Sequence, residues 1–91
     1  MFDEKQIRAL ENLIFHAKRN SGQATRVANF LLCWWNAQDQ GSFVFTEVWG
    51  LDSDILRDVL IVFVAFANNQ GVYPDALGYE KDFQEIIRRQ R

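Results

Sequence analysis

Ninety-one residues suffice for one domain and are too few for two separate cores. A hydrophobic content of 48%, with eight Phe and three Trp, excludes a disordered chain, and one Cys with one His excludes an internal disulfide and a cysteine-rich metal site. The net charge of −2 is unevenly spread, with residues 1–29 at +2, 30–82 at −6 and 83–91 at +2, so a generic nucleic-acid binder is not indicated.

The N-terminal stretch MFDEKQIRAL is charged where a signal peptide carries an apolar core, and a cytoplasmic location is the expectation. Asp3 followed three residues later by Gln6 reads as a capping box. Ile7, Leu10, Leu13, Ile14 and Ala17 then recur at helical spacing, and Lys18 and Arg19 suit the C-terminal end of the dipole, giving a helix over about 4–19. The opposite side carries Lys5, Arg8, Asn12, His16 and Arg19. Its ordinary reading is a solvated face; its sharper one is an anion contact built from Lys5, Arg8, His16 and Arg19.

Asn20-Ser21-Gly22 breaks the pattern, and Ser21 caps a second helix over about 22–38. Ala24, Val27, Ala28, Leu31, Trp34 and Trp35 face one way, as core residues whose indoles need a hydrogen-bond partner when buried. The opposite line holds Thr25, Arg26, Asn29, Cys33 and Asn36, flanked by Phe30 and Leu32. Of these, Arg26, Asn29, Cys33 and Asn36 make a candidate polar stripe, against the plainer reading of Cys33 as a half-buried structural thiol. A nucleophile–base pair of Cys33 with His16 is disfavoured, because antiparallel helices pack their apolar faces.

Residues 39–52 form an aromatic-rich loop. Phe43-Val44-Phe45 is either extended or plugs the bundle, and Thr46 can cap one turn through Trp49. The most apolar stretch follows, Ile55 to Ala67, bounded by Asp52-Ser53 as N-cap residues and by Asn68-Asn69-Gln70-Gly71 as a stop. It predicts a helix over about 53–69, with a strand as the competing reading. Its uninterrupted apolar run, Val59 to Ala67, is far shorter than the ~20 residues of a membrane span. On a helical wheel Ile55, Leu56, Val59, Leu60, Val62, Phe63, Phe66 and Ala67 make a broad face, expected to be core. Ile61, Val64 and Ala65 form a narrower stripe beside Arg57, Asp58 and Asn68. Ile61, Val64 and Ala65, with Arg57 and Asn68, are the candidate interaction surface.

Tyr73-Pro74 marks a turn, and Pro74 can open a short turn through Leu77 that ends at Gly78. Tyr79, Phe83, Ile86 and Ile87 give a fourth helix over about 79–90, with Glu85 and Arg89 in the favourable i,i+4 order.

The segments GQATRVANFLLCWWNA (Gly22 to Ala37), Thr46-Glu47-Val48-Trp49 and Tyr73-Pro74-Asp75-Ala76-Leu77 resemble a family of small proteins of unknown function. These proteins occur in bacterial genomes, phages and mobile elements. The resemblance covers most of residues 8–79 and implies an accessory bacterial protein, with no activity or catalytic residue to carry over.

Catalytic patterns are missing. Asp52, Asp54 and Asp58 sit near a helix start, where the dipole and capping account for carboxylates. As a Ca²⁺ loop the segment turns apolar where oxygen ligands should recur. Gly41-Ser42 and Gly50 make no phosphate-cradling loop, and no nucleophile elbow is present. The expectation is therefore an all-α, single-domain bundle of four main helices over residues 1–91, in which the helix at 53–69 is central and covered by the other three. It is expected to be a non-enzymatic protein-interaction module and a homodimer, with no cofactor, metal or membrane. The alternatives are a nucleic-acid-associated regulator using the basic face of helix one and an acidic inhibitor of a host nucleic-acid-binding protein that uses Asp52, Asp54 and Asp58.

Overall fold

In the computed structural model, four helices run in the order α1 (Glu4–Ala17), α2 (Gly22–Gln40), α3 (Ser53–Asn68) and α4 (Glu80–Arg89). Short 3-10 turns occupy Phe45–Gly50 and Pro74–Leu77. The backbone is described for residues 1–40 and 43–90, and the side chains of residues 36–40 are not. Among the described residues there is no strand: the strand reading of 55–67 gives way to helix, and no pairing forms at 43–45, where Val44 is extended ahead of the turn that opens at Phe45.

Local chemistry sets the boundaries. The Asp3 carboxylate accepts from Gln6 N–H at 2.8 Å while the Gln6 side chain accepts from Asp3 N–H at 2.9 Å, the reciprocal box that starts α1. The Ser21 hydroxyl accepts from Ala24 N–H at 3.1 Å at the start of α2. α1 stops at Ala17, two residues before the expected end, because Lys18 turns out as the C-cap and pairs with Asp82 and Glu85 of α4. Asp52 lies at the N-cap of α3 without capping it: its carboxylate accepts from the Gln23 amide at 2.7 Å and its N–H donates to Gln23 Oε1 at 2.8 Å. That reciprocal pair ties the entry of α3 to the first turn of α2. Gly78 ends the second 3-10 turn at φ 90, a left-handed conformation that glycine adopts without a Cβ penalty.

The centre of the bundle is α1, a correction to the expectation that α3 would be. α1 packs along both α2 and α3 and also meets α4, whereas α4 lies across α1 and α2 and not along α3. The reason is the small, evenly apolar surface of α1: Ala9, Leu10, Leu13, Ile14 and Ala17 are all buried. They meet Val27, Ala28, Leu31 and Leu32 from α2 and Phe83 and Ile86 from α4 in one cluster. Leu32, expected on the flank of the polar stripe, is 1% exposed and belongs to this core. Trp34 behaves as its chemistry demands: it stacks on Phe2 (centroids 5.7 Å apart) and donates its indole N–H to the Val72 carbonyl at 3.1 Å.

Candidate functional site: an open apolar face on α3

α3 buries one line of residues, Ile55, Val59, Val62 and Ala65, spaced at 4, 3 and 3. These positions face α1, the helix with which α3 shares its main contact. The expected partition of the helix is therefore rotated. Ala65, placed in the interaction stripe by the sequence, is 0% exposed. Leu60, Phe63 and Phe66, assigned to the core, are 56%, 54% and 42% exposed. Both faces are apolar enough to be core, and the wheel alone could not choose between them. The packing selects the face with the smaller residues, because an alanine at position 65 lets two helix backbones approach closely where a phenylalanine would hold them apart.

What the rotation leaves outside is a second stripe, Leu56, Leu60, Phe63 and Ala67, at spacings of 4, 3 and 4. That is the a/d rhythm of a helix seam. Leu60, Phe63 and Ala67 are exposed and Leu56 is half-buried. Val64, at 52% exposure, widens the stripe on one side. Ile61 is half-buried against the core, and Arg57 and Asn68 are exposed beside it. Three of the five sequence candidates, Arg57, Ile61 and Val64, do meet in one open trough, which also takes in Leu56, Leu60 and, from α1, Lys5.

On the other flank of the stripe lies an apolar cavity of about 190 Å³. α2 lines it with Phe30, Cys33 and Trp34, the start of the first 3-10 turn and the residues ahead of it with Phe45 and Phe43, and α3 with Val62, Phe63 and Phe66. Phe30 meets Phe43 edge-on at 5.5 Å, and Trp34 meets Phe66 edge-on at 6.1 Å. Phe43 thus closes one wall, while Phe45 is 85% exposed and does not plug the bundle.

The polar stripe of α2 serves a different end from the one its composition suggested. Arg26 donates to the Glu47 carbonyl oxygen at 3.2 Å, and the Asn29 amide donates to the Glu47 carboxylate at 3.1 Å. The second oxygen of that carboxylate accepts from Val44 N–H at 2.9 Å. These bonds dock the Phe45–Gly50 turn onto α2, and the Arg26 guanidinium lies so close over Gly50 that a Cβ there would sit 2.6 Å from it. Arg26 and Asn29 are thus turn anchors, and Cys33 stands apart from them in the apolar cavity. The Asn36 side chain lies outside the described residues.

The basic residues of α1 do not gather into one site. Arg8 pairs with Glu4 at 3.1 Å, and Arg19 lies 5.7 Å from the Phe15 ring centroid. His16 packs edge-on to Phe15, while Lys5 borders the α3 trough. His16 and Cys33 stay apart: the stack of Phe2 on Trp34 sets the Cys33 turn beside the start of α1, and His16 lies about 20 Å along that helix. The acidic residues are likewise engaged separately, Asp52 with Gln23 and Asp58 with Asn12 at 3.4 Å, while Asp54 accepts from the neighbouring Ile55 N–H.

The α1–α4 clasp shifts the titration of three of its groups. The Asp82 hydrogen bond raises the Lys18 amine, against the opposing effect of burial, and the Arg89 hydrogen bond lowers Glu85. Burial, then a 2.8 Å hydrogen bond to Glu11, raises the Tyr79 hydroxyl to about 12. These groups hold the bundle together at a distance from the apolar face.

Fold and face together define a small helical-bundle protein whose most distinctive surface is an unpartnered apolar helix. Among the described residues no helix is long and apolar enough to cross a membrane, and no three His, Cys, Asp or Glu side chains are grouped to hold a metal ion. Residues 7–91 match a family of unknown function, DUF7673, and the chain belongs to it. No curated protein and no solved structure matches.

Proposed function

We propose that this chain is a non-enzymatic interaction module that forms a homodimer by pairing the outer face of α3 with its counterpart on a second copy. The carrying observation is the exposed stripe of Leu60, Phe63 and Val64 along a helix whose opposite face is already core. With Phe45 and Phe66 these side chains hold on the order of 500 Å² of open apolar surface, at the upper end for a monomer's largest patch. A standard interface buries ~800 Å² per partner, of which some 65% is apolar in homodimers, so the patch supplies about what one side needs.

Self-pairing is favoured by how the stripe complements itself. In an antiparallel pair, Leu60 of one copy meets Phe63 of the other, and Leu56 meets Ala67, so large side chains face large in the two central layers and small in the two outer ones. Arg57 then lies along Val64 of the second copy, with its head near the C-terminal end of that helix, where the dipole favours a cation. The two Arg57 residues remain roughly 13 Å apart along the axis, too far for strong repulsion. The resemblance adds a setting to this reading, an accessory protein of a bacterium or one of its mobile elements. The nucleic-acid and acidic-inhibitor alternatives draw less support, since the charges each needs are dispersed or engaged within the bundle.

Sedimentation velocity at tens of micromolar tests the proposal. The native chain is expected to run as a dimer and Leu60→Asp as a folded monomer, since Leu60 is largely solvent-exposed in the isolated chain. A native chain that is monomeric throughout would refute it.

A further inference from the structure

We infer that the cavity between α2, the 43–45 segment and α3 is a binding site for a small, neutral, ring-shaped molecule. Among the described residues its walls are five phenylalanines, a tryptophan, a valine and a cysteine. Only two lining side-chain atoms are not carbon, the indole nitrogen of Trp34 and the sulfur of Cys33. The indole N–H is already donated to the Val72 carbonyl, which leaves the thiol, a weak donor and acceptor, as the one polar side-chain contact for a ligand among the described residues. A charged or strongly hydrogen-bonding molecule would lose its hydration there with nothing to replace it. The class is thereby restricted to neutral, mainly hydrocarbon molecules.

Size and shape narrow it further. A volume of about 190 Å³ is somewhat larger than the ~150 Å³ apolar cavity that accepts benzene, and well below the ~300 Å³ at which drug-sized sites begin. One aromatic ring with a short substituent, or a compact bicycle, fits that space. The surrounding rings are arranged to receive it: Phe30–Phe43 and Trp34–Phe66 meet edge-to-face, at interplanar angles of 71° and 73°. Such walls present both ring faces and ring edges, the two surfaces with which a further aromatic ring packs well. Phe45, nearly free in solvent, stands at the mouth. The cavity does not require dimerisation, although Phe45, Phe63 and Phe66 belong to both features.

Cys33, the one thiol in the chain, reports on occupancy without any substitution. The experiment measures the rate of Cys33 alkylation by N-ethylmaleimide, read by mass spectrometry, with toluene near saturation or with benzoate at the same concentration. An apolar molecule of this size is expected to bind at on the order of 0.1–1 mM. Toluene should slow labelling at least fivefold, and benzoate should leave it unchanged. Equal rates with and without toluene would overturn the inference, as would equal protection by benzoate, which would show that charge is tolerated. Repeating the measurement on Leu60→Asp separates this site from the α3 pairing, and toluene protection should persist there. If Cys33 is instead protected by raised protein concentration alone in the native chain, and exposed in Leu60→Asp with toluene inert in both, the second copy seals the cavity and the small-molecule reading fails.

Discussion

Glu47 is the residue on which the placement of the first 3-10 turn depends, and removing it gives a measurable loss. Its carboxylate accepts two hydrogen bonds, from Asn29 across the α2 interface and from Val44 N–H within the turn. Bonds to a charged acceptor contribute about 1.5–3 kcal/mol each when shielded, and both of these are partly open to solvent. Glu47→Ala is therefore expected to cost about 2 kcal/mol in urea unfolding, or roughly 10 °C in Tm for a domain of this size. Glu47→Gln keeps one acceptor oxygen and should lose about half as much. A double-mutant cycle with Asn29→Ala isolates the cross-element bond, whose coupling should be about 0.5–1 kcal/mol. If Glu47→Ala costs less than about 0.5 kcal/mol, the turn is held by Arg26 and apolar contact alone. Phe43 would then be no fixed wall of the cavity.

Three further outcomes follow from the packing. Ala65→Leu should destabilise by about 1–3 kcal/mol in thermal unfolding through overpacking against α1, whereas Val64→Leu, one residue away and half in solvent, should change stability by less than about 0.5 kcal/mol. Tyr79 is ordinarily half-ionised at 10.0 and in the fold at about 12, so its contribution is complete below pH 10 and is lost as pH rises from 10 to about 12. The raised Lys18 acts in the same direction, and denaturant midpoints should fall across that window less steeply in Tyr79→Phe. Glu85, lowered by Arg89, contributes above its ordinary titration range and is lost as pH falls through its folded value. Arg89→Ala should therefore flatten the acid limb of the same stability–pH curve.

The elements were legible because each carries its own punctuation. The Asp3–Gln6 box, Ser21, Pro74 and Gly78 all act within a few residues of where they stand, so local sequence suffices to place them. The arrangement was less legible. α3 is the most hydrophobic helix, yet centrality depends on how closely neighbours can approach, and α1 with its alanines at 9 and 17 allows more of that. The two faces of α3 are distinct in the sequence, but their destinations are not. Phe63 and Phe66 looked like core by size alone, and the available signal, the 4-3-4 spacing of Leu56, Leu60, Phe63 and Ala67, was present in the chain. Arg26 and Asn29 share a polar stripe of α2, but their partner is Glu47, 18 or more residues away, and such pairings are invisible to a reading by helical faces. The cavity needed three separate segments to converge, which only the fold displays.

Antiparallel pairing of α3 is tested most directly by cross-linking single cysteines placed on its outer face, with Cys33→Ala as background. A two-fold axis between Leu60 and Phe63 puts the two copies of residue 60 roughly 4–5 Å apart along the axis and the two copies of residue 67 roughly 16 Å apart. With a short bis-maleimide, Leu60→Cys should therefore yield a covalent dimer and Ala67→Cys should not. Cross-linking of both would contradict the antiparallel geometry, and cross-linking of neither would contradict the pairing of α3 altogether.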